Sequence, residues 1–391
     1  MKKLAIAVCA LCLSVVFCVT AFAAADLGDA DGDGQITPAD ARLVLRIAVQ
    51  LDEPATDAGD PDVDGDGSVS PADARYVLRR AVSLDLFFPV EAPFKAPTTG
   101  KPLDAEIDAP FALVYDAGHN SLLYRQNVDG QTAPASLLKL LTAITALKYC
   151  DVGLPCVVGD EIDLIAEDSS VCGLEKGWEL PLEHLLYGMM LCSGNDAAYS
   201  VAANVAKAVA DVKTDEEAVR YFVRLMNLTA KELGLSSTRA MSPDGYDAPD
   251  QHTTPADLLT LTRAALEIPL LTEICSQYSF SFALPDGKEI SWYSTNRYLN
   301  PSDRFYDPHV YGMKGGFTDD AGCCLISVWQ VEGENYVVIV MGLDSFNARY
   351  HQSSVLMHAV APDSVTVQPE DPPEENDPPE EAPEDASFAE D

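Results

Sequence analysis

The sequence predicts a mixed helix-and-sheet domain (α/β, more strictly α+β) behind a small all-α module. Three observations predict it. A loop-plus-helix unit is duplicated near the N-terminus. An alternating stretch at residues 111–126 marks a hairpin, and two strand-like runs, CCLISVWQ and NYVVIVMG, close the large domain. Helical spacing begins near Ser136 and recurs, with one break, in residues 180–210.

The chain has 391 residues, 62 Asp+Glu against 25 Lys+Arg, and a net charge of -37. At roughly 100–200 residues per domain this is a two- or three-domain length. No basic stripe exists to neutralise phosphates, which excludes nucleic acid, and the charge opposes docking on anionic lipid. The charge is uneven: residues 26–85 carry -9 and residues 364–391 carry -11.

Residues 1–25 read as a secretory signal. Lys2 and Lys3 precede the apolar stretch 4–20, and Ala21-Phe22-Ala23 is an A-x-A cleavage site. The expected mature chain is secreted and keeps Cys150, Cys156, Cys172, Cys192, Cys275, Cys323 and Cys324. An odd count leaves at least one thiol free or paired between molecules, and Cys150 with Cys156 is one candidate pair.

Residues 29–49 and 62–82 repeat at an offset of 33. Asp29, Asp31, Asp33 and Asp62, Asp64, Asp66 stand at loop positions 1, 3 and 5. Gly34 and Gly67 take the turn at position 6, and Asp40 and Asp73 close each loop at position 12. Hard oxygens at this spacing wrap one Ca²⁺ per loop, with the peptide carbonyls of Gln35 and Ser68 at position 7. Ile36 and Val69, at position 8, suit a short pairing between the loops. No helix enters either loop, because a signal peptide precedes the first and a short Pro-broken segment the second. A doubled loop-then-helix of this kind, over residues 26–85, resembles a dockerin. The resemblance implies a cohesin partner docked on Pro38-Ala39 and Pro71-Ala72 with Arg42 and Arg75, in either of two orientations. The alternative is a calcium-rigidified spacer without a partner. Residues 86–105 are Pro-rich and read as a semi-rigid linker.

In the large domain, spanning 106–362, Leu137, Leu138, Leu140, Leu141, Ile144 and Leu147 recur at helical spacing, so a buried helix begins near Ser136. Ser136 and Lys139, three apart, share a helical face. A serine there gives its proton to a lysine whose pKa burial lowers, and the helix N-terminus favours a developing oxyanion. Alone, Ser-x-x-Lys is weak. Its context strengthens it: the break Cys192-Ser193-Gly194-Asn195 falls between two helical stretches in 180–210. There Ser193 can relay protons and Asn195 can hold a substrate amide. Lys314-Gly315-Gly316-Phe317 precedes the two late strands, which places Lys314 on an edge strand where glycines admit a substrate backbone.

Ser-x-x-Lys, Ser-x-Asn and Lys-x-Gly in this order resemble the penicillin-binding, β-lactamase-like transpeptidase fold. The fold it implies is an antiparallel sheet flanked by helices, with a helical subdomain. The stretches PASLLKLLTA, LLYGMMLCSGNDAA, SPDGYD and GMKGGFTDDAG are closer still to the low-molecular-mass D-Ala-D-Ala carboxypeptidases. By position the resemblance implies Ser136 as nucleophile and Lys139 as general base. Ser193 and Asn195 form the second wall, Lys314 faces the substrate carboxylate, and the Ser136 and Phe317 N–H groups form the oxyanion hole. Peptidoglycan stem peptides are the implied substrate, β-lactams the implied inhibitors, and no catalytic cofactor is needed. A β-lactamase or DD-endopeptidase on the same site, and a non-catalytic penicillin-binding module, are the competing readings. Gly315 departs from the family's Thr, and restoring Thr is expected to raise turnover.

Cys192 reads as a small buried filler, Cys323 and Cys324 as strand neighbours on opposite faces, and His252 and His309 as surface hydrogen-bonding groups. Residues 363–391 alternate Pro with acidic clusters and read as a disordered tail, where family members often carry a small β domain and a membrane helix. No direct membrane anchor is expected.

Overall fold

The computed structural model describes residues 27–54, 58–63, 68–82, 94–368 and 370. The signal segment and the acidic tail beyond 370 lie outside the described residues, as do Asp64, Asp66 and Gly67 of the second loop. The chain divides into two compact units, residues 1–82 and 83–391.

The first unit is two capped helices, α1 (Pro38–Ala48) and α2 (Pro71–Ala81). Each begins with Pro at the first turn, where no intrahelical N–H is needed. Thr37 and Ser70 accept a backbone N–H, while Asp40 and Asp73 accept the N–H of the cap in return. Val44 and Val77 are fully buried, with Ala41, Ala74 and Ile47 beside them. The expected strand pairing at Ile36 and Val69 is not formed among the described residues. The Gly28 N–H donates to Asp60 O and the Gly59 N–H to Asp29 O instead, tying the two repeats at the loop entrances.

The second unit is built on a six-stranded sheet. Its strands are β1 (Thr98–Thr99), β2 (Phe111–Asp116), β3 (Ser121–Gln126) and, late in the chain, three long ones. Between them come α3 (Lys139–Tyr149), the small pair β4 (Pro155–Val157) and β5 (Glu179–Pro181), and α4 (Leu182–Leu191). The helices α5 (Asn195–Val209), α6 (Asp215–Glu232), α7 (Pro255–Leu266) and α8 (Pro269–Ser276) follow, then the hairpin β6 (Ser279–Ala283) and β7 (Glu289–Tyr293). The chain closes with β8 (Val310–Thr318), β9 (Gly322–Val331), β10 (Glu334–Leu343) and α9 (Phe346–Val360). The sheet order is β1-β3-β2-β10-β9-β8, antiparallel except for β1 beside β3.

Both faces of the sheet are buried, so the strands lack a polar face. Leu113, Tyr115, Ile326, Val337 and Ile339 pack toward the helical subdomain. Ala112, Val114, Leu325, Trp329, Val338 and Val340 pack under α9 with Tyr350, Leu356 and Met357. The period of two along each strand sorts these sets. It also separates Cys324 from Cys323, which fall in the two different clusters.

Residues 94–105, read from composition as linker, belong to this unit. Thr98 and Thr99 pair with Ser121 and Leu122, the Leu103 N–H donates to Leu123 O, and the Phe94 ring lies 4.2 Å from the Arg263 guanidinium. An exposed edge of β3 is thereby covered. Cys150 and Cys156, the candidate disulfide, are both thiols.

Candidate active site and calcium loops

Ser136 sits on a tight 3-10 turn, Ala135–Leu138, that runs directly into α3. Leu137, Leu138, Leu140, Leu141 and Ile144 are wholly buried and anchor the turn in the core. Two glycines let other segments close on it. Gly245 has φ +86, and a Cβ there would stand 1.9 Å from Ala135 O. At Gly316 a Cβ would meet the Ser136 backbone N at 2.9 Å and the Ala135 Cβ at 3.0 Å. The edge strand β8 therefore passes in van der Waals contact with the serine turn only because residue 316 has no side chain.

Lys139 is fully buried, and its Nζ lies 2.7 Å from Ser136 Oγ, 2.7 Å from Asn195 Oδ1 and 2.9 Å from Asp244 O. Burial pulls its pKa down to about 8, with Asp244 and Asp196 opposing the shift. A neutral amine has two N–H donors and one lone pair. Asn195 and the Asp244 carbonyl take the two donors, which leaves the lone pair for the Ser136 O–H.

Asn195 opens α5 and is itself held: its Nδ2 donates to Ser169 Oγ at 2.9 Å and its backbone N–H to Ser170 O at 2.7 Å. Asp196 accepts the N–H groups of Cys172, Gly173 and Leu174 at 3.0, 2.9 and 2.9 Å, fastening that loop across the start of α5. Ser193 occupies the break between α4 and α5 with φ 58. Lys314 Nζ, buried on β8, donates to Ser193 Oγ at 2.8 Å and to Gly315 O at 2.9 Å. The structure thus links Ser136, Lys139 and Asn195 in one cluster and Ser193 with Lys314 in another. Gly316 adjoins the serine turn, while the Phe317 ring is 48% exposed beside Phe346.

Behind Gly315 stands Arg349 of α9. A Cβ on residue 315 would lie 3.0 Å from its Nη1. Arg349 is wholly buried, and its Nη1 donates to Cys324 O at 3.4 Å. Sequence reasoning missed Arg349, Asp244, Asp196 and Ser169, which lie outside the three short motifs. An arginine within the buried stripe of α9 was one signal, since such a charge needs a task, and Asp244 and Asp196 stood inside the stretches SPDGYD and LLYGMMLCSGNDAA. Cys192 is buried and its thiol is pushed up to about 12 by burial, the behaviour of a filler rather than a nucleophile. His309 pairs with Asp307 and His252 with Asp250 O, both local contacts.

In the first acidic loop, carboxylate oxygens of Asp29, Asp31 and Asp40 lie within 4.8 Å of one another. Asp29 and Asp40 are buried, and Asp31 is raised above its ordinary value by loss of hydration and by the charges of Asp40, Asp33 and Asp29. Convergent hard oxygens with mutual repulsion fit a Ca²⁺ ion. Asp33 is outside this group and accepts the Gln35 N–H at 2.8 Å. In the second loop Asp62, Ser68 and Asp73 are described, and Asp73 is buried like its counterpart Asp40.

Comparison with known proteins agrees with both units. Residues 27–80 match the dockerin type I domain. The chain is 26% identical over 254 residues to the D-alanyl-D-alanine carboxypeptidase DacF of Bacillus subtilis, covering 64% of this chain and 61% of that protein. It is 29% identical over 264 residues to the D-alanyl-D-alanine carboxypeptidase DacA of Escherichia coli, covering 64% and 60%. The chain therefore spans about three-fifths of the length of these relatives. The Streptomyces K15 DD-transpeptidase shares the fold at TM-score 0.59 and 24% identity, over 65% of this chain and 97% of that one. Residues 96–345, well over half of the chain, match the D-alanyl-D-alanine carboxypeptidase family, and the chain belongs to it.

Proposed function

We propose that the protein is a secreted serine-type D-Ala-D-Ala carboxypeptidase, held at the bacterial cell surface by a calcium-dependent dockerin–cohesin contact. The observation that carries the catalytic half is the buried Lys139 amine, 2.7 Å from Ser136 Oγ, with its two other neighbours both acceptors.

Neutral Lys139 takes the Ser136 proton as Oγ attacks the carbonyl that precedes the terminal D-alanine of a peptidoglycan stem peptide. Negative charge develops on the carbonyl oxygen, which the N–H groups of Ser136 and Phe317 receive. The C–N bond breaks as the Lys139 ammonium gives its proton, by way of Ser193, to the leaving amine, and Lys314 offers positive charge to the terminal carboxylate. Water then adds to the Ser136 ester, its proton taken by neutral Lys139 and passed to Ser136 Oγ as the shortened peptide leaves. A β-lactam acylates the same oxygen. Asn195 positions the substrate amide, and Gly315 and Gly316 admit its backbone along β8.

Gly315 supports one second reading. Without a hydroxyl at that position the grip on a terminal carboxylate is weaker, which suits an internal bond and a DD-endopeptidase.

In the first unit, Asp29, Asp31, Asp33, Gln35 and Asp40 would hold one Ca²⁺, and Asp62, Asp64, Asp66, Ser68 and Asp73 a second. Bound there, Ca²⁺ would offset the mutual repulsion of these carboxylates. Leu45, Val49, Leu78 and Val82 are 43–51% exposed at equivalent positions of the two repeats. Together with Pro38-Ala39, Arg42, Pro71-Ala72 and Arg75 they offer a cohesin two equivalent faces. The catalytic half is tested by incubating the protein with a fluorescent penicillin and a D-Ala-D-Ala peptide, beside Ser136→Ala. Slow-releasing label with D-alanine production supports it, and label without D-alanine supports a binding module.

A further inference from the structure

The mechanism above uses the Asp244 carbonyl but not the Asp244 carboxylate. Asp244 as a residue is 1% exposed. Its Oδ1 accepts from Ser242 Oγ at 2.6 Å and from the Tyr246 N–H at 3.0 Å, while Oδ2, wholly buried, has no hydrogen-bond partner among the described residues. A buried, half-satisfied carboxylate is costly, and it persists where something else compensates it. The same loop is pinned to the serine turn, since Gly245 packs against Ala135 O and Lys139 Nζ reaches Asp244 O at 2.9 Å.

We propose that Asp244 is a positioning residue for acylation, its buried carboxylate serving as counter-charge for the ammonium that forms on Lys139. The inference rests on reading Ser136 and Lys139 as nucleophile and base. In the step concerned the Ser136 O–H bond breaks and an N–H bond forms on Lys139, with no other change in electron count. Lys139 Nζ touches the Asp244 backbone carbonyl, and the carboxylate of the same residue acts on it through its charge: on a neutral amine before transfer, on an ammonium after it. The interaction is therefore stronger along the reaction than at its start, which is what accelerates a step. The charged groups acting on Lys139 are Asp244 on this loop and Asp196 on α5, with Lys314 on β8 bonded to Ser193. Burial raises the Tyr199 phenol of α5, and the Asp244 charge adds to that shift. Asp196 is already occupied by four backbone N–H groups, which leaves Asp244 as the less satisfied charge.

The test is the pH profile of acylation by a fluorescent penicillin for wild type, Asp244→Asn and Asp247→Asn. Removing the charge lowers the Lys139 pKa, so in Asp244→Asn the acid limb moves down by about one pH unit. The plateau rate falls roughly tenfold through the lost counter-charge. Asp247→Asn, three residues on, leaves the limb in place. An unmoved limb in Asp244→Asn overturns the proposal, as does an equal shift in Asp247→Asn. Should Asp244→Asn not fold, Asp244→Thr carries the same test, its hydroxyl able to accept the Tyr246 N–H. A wild type that takes no label at any pH removes the nucleophile assignment, and the proposal with it.

Discussion

Lys139 Nζ lies 2.7 Å from Ser136 Oγ across the junction where the 3-10 turn becomes α3. With its pKa pulled down to about 8 by burial, the amine is charged below that value and neutral above it. Acylation is therefore expected to rise with pH through about 8 and to fall off on the acid side. Stopped-flow labelling with a fluorescent penicillin from pH 5 to 10 reads the limb. Lys139→Ala, measured the same way, should lose at least about 10²–10⁴-fold.

The close contact at Gly245 predicts a loss of stability. Gly245→Ala introduces a Cβ at 1.9 Å from a backbone oxygen in a left-handed conformation. It should destabilise the catalytic unit by more than about 1 kcal/mol, seen as a lower denaturant midpoint.

Gly315→Thr tests a reversal of sign. Sequence alone suggests that restoring the family's hydroxyl raises turnover. The structure puts the new Cβ 3.0 Å from Nη1 of a wholly buried Arg349, and overpacking at such a place is unfavourable. We expect kcat/KM for a D-Ala-D-Ala peptide to fall several-fold, and Arg349→Met to raise KM by removing a positive charge behind β8. A gain in Gly315→Thr would show that Arg349 yields.

Asp40 has two tasks, because the carboxylate that converges with Asp29 and Asp31 also accepts the Thr37 N–H and Oγ–H at the start of α1. Asp40→Ala should lose about 0.5–2 kcal/mol of capping besides the calcium site. Asp33→Ala should weaken calcium binding alone. Titration calorimetry with Ca²⁺ and thermal melts in a chelator separate the two. Penicillin acylation should be unchanged by the chelator, since the catalytic residues lie in the other compact unit.

The legible part of the site was whatever sat in a short motif. Ser136 and Lys139 are three residues apart, and the helix that carries them has a clear apolar period. Ser193, Asn195 and Lys314 stood out because Gly neighbours interrupt periodic segments. Asp244 and Arg349 did not, since their importance comes from packing 105 and 34 residues distant in sequence from Lys139 and Gly315. The sheet followed from strand runs, but its covered edge did not. Pro, Thr and Gly at residues 97–102 read as linker, whereas backbone pairing with β3 decides their conformation. The pairing between the acidic loops was misplaced for a similar reason: backbone groups at Gly28 and Gly59 carry it rather than apolar side chains.

The central claim is that Ser136, activated by Lys139, forms a covalent intermediate on the way to releasing D-alanine. Intact-protein and peptide mass spectrometry after quenching with a D-Ala-D-Ala peptide measures it most directly. The account predicts an acyl adduct on the peptide containing Ser136, free D-alanine in step with its turnover, and neither in Ser136→Ala. D-alanine release that persists in Ser136→Ala would contradict it.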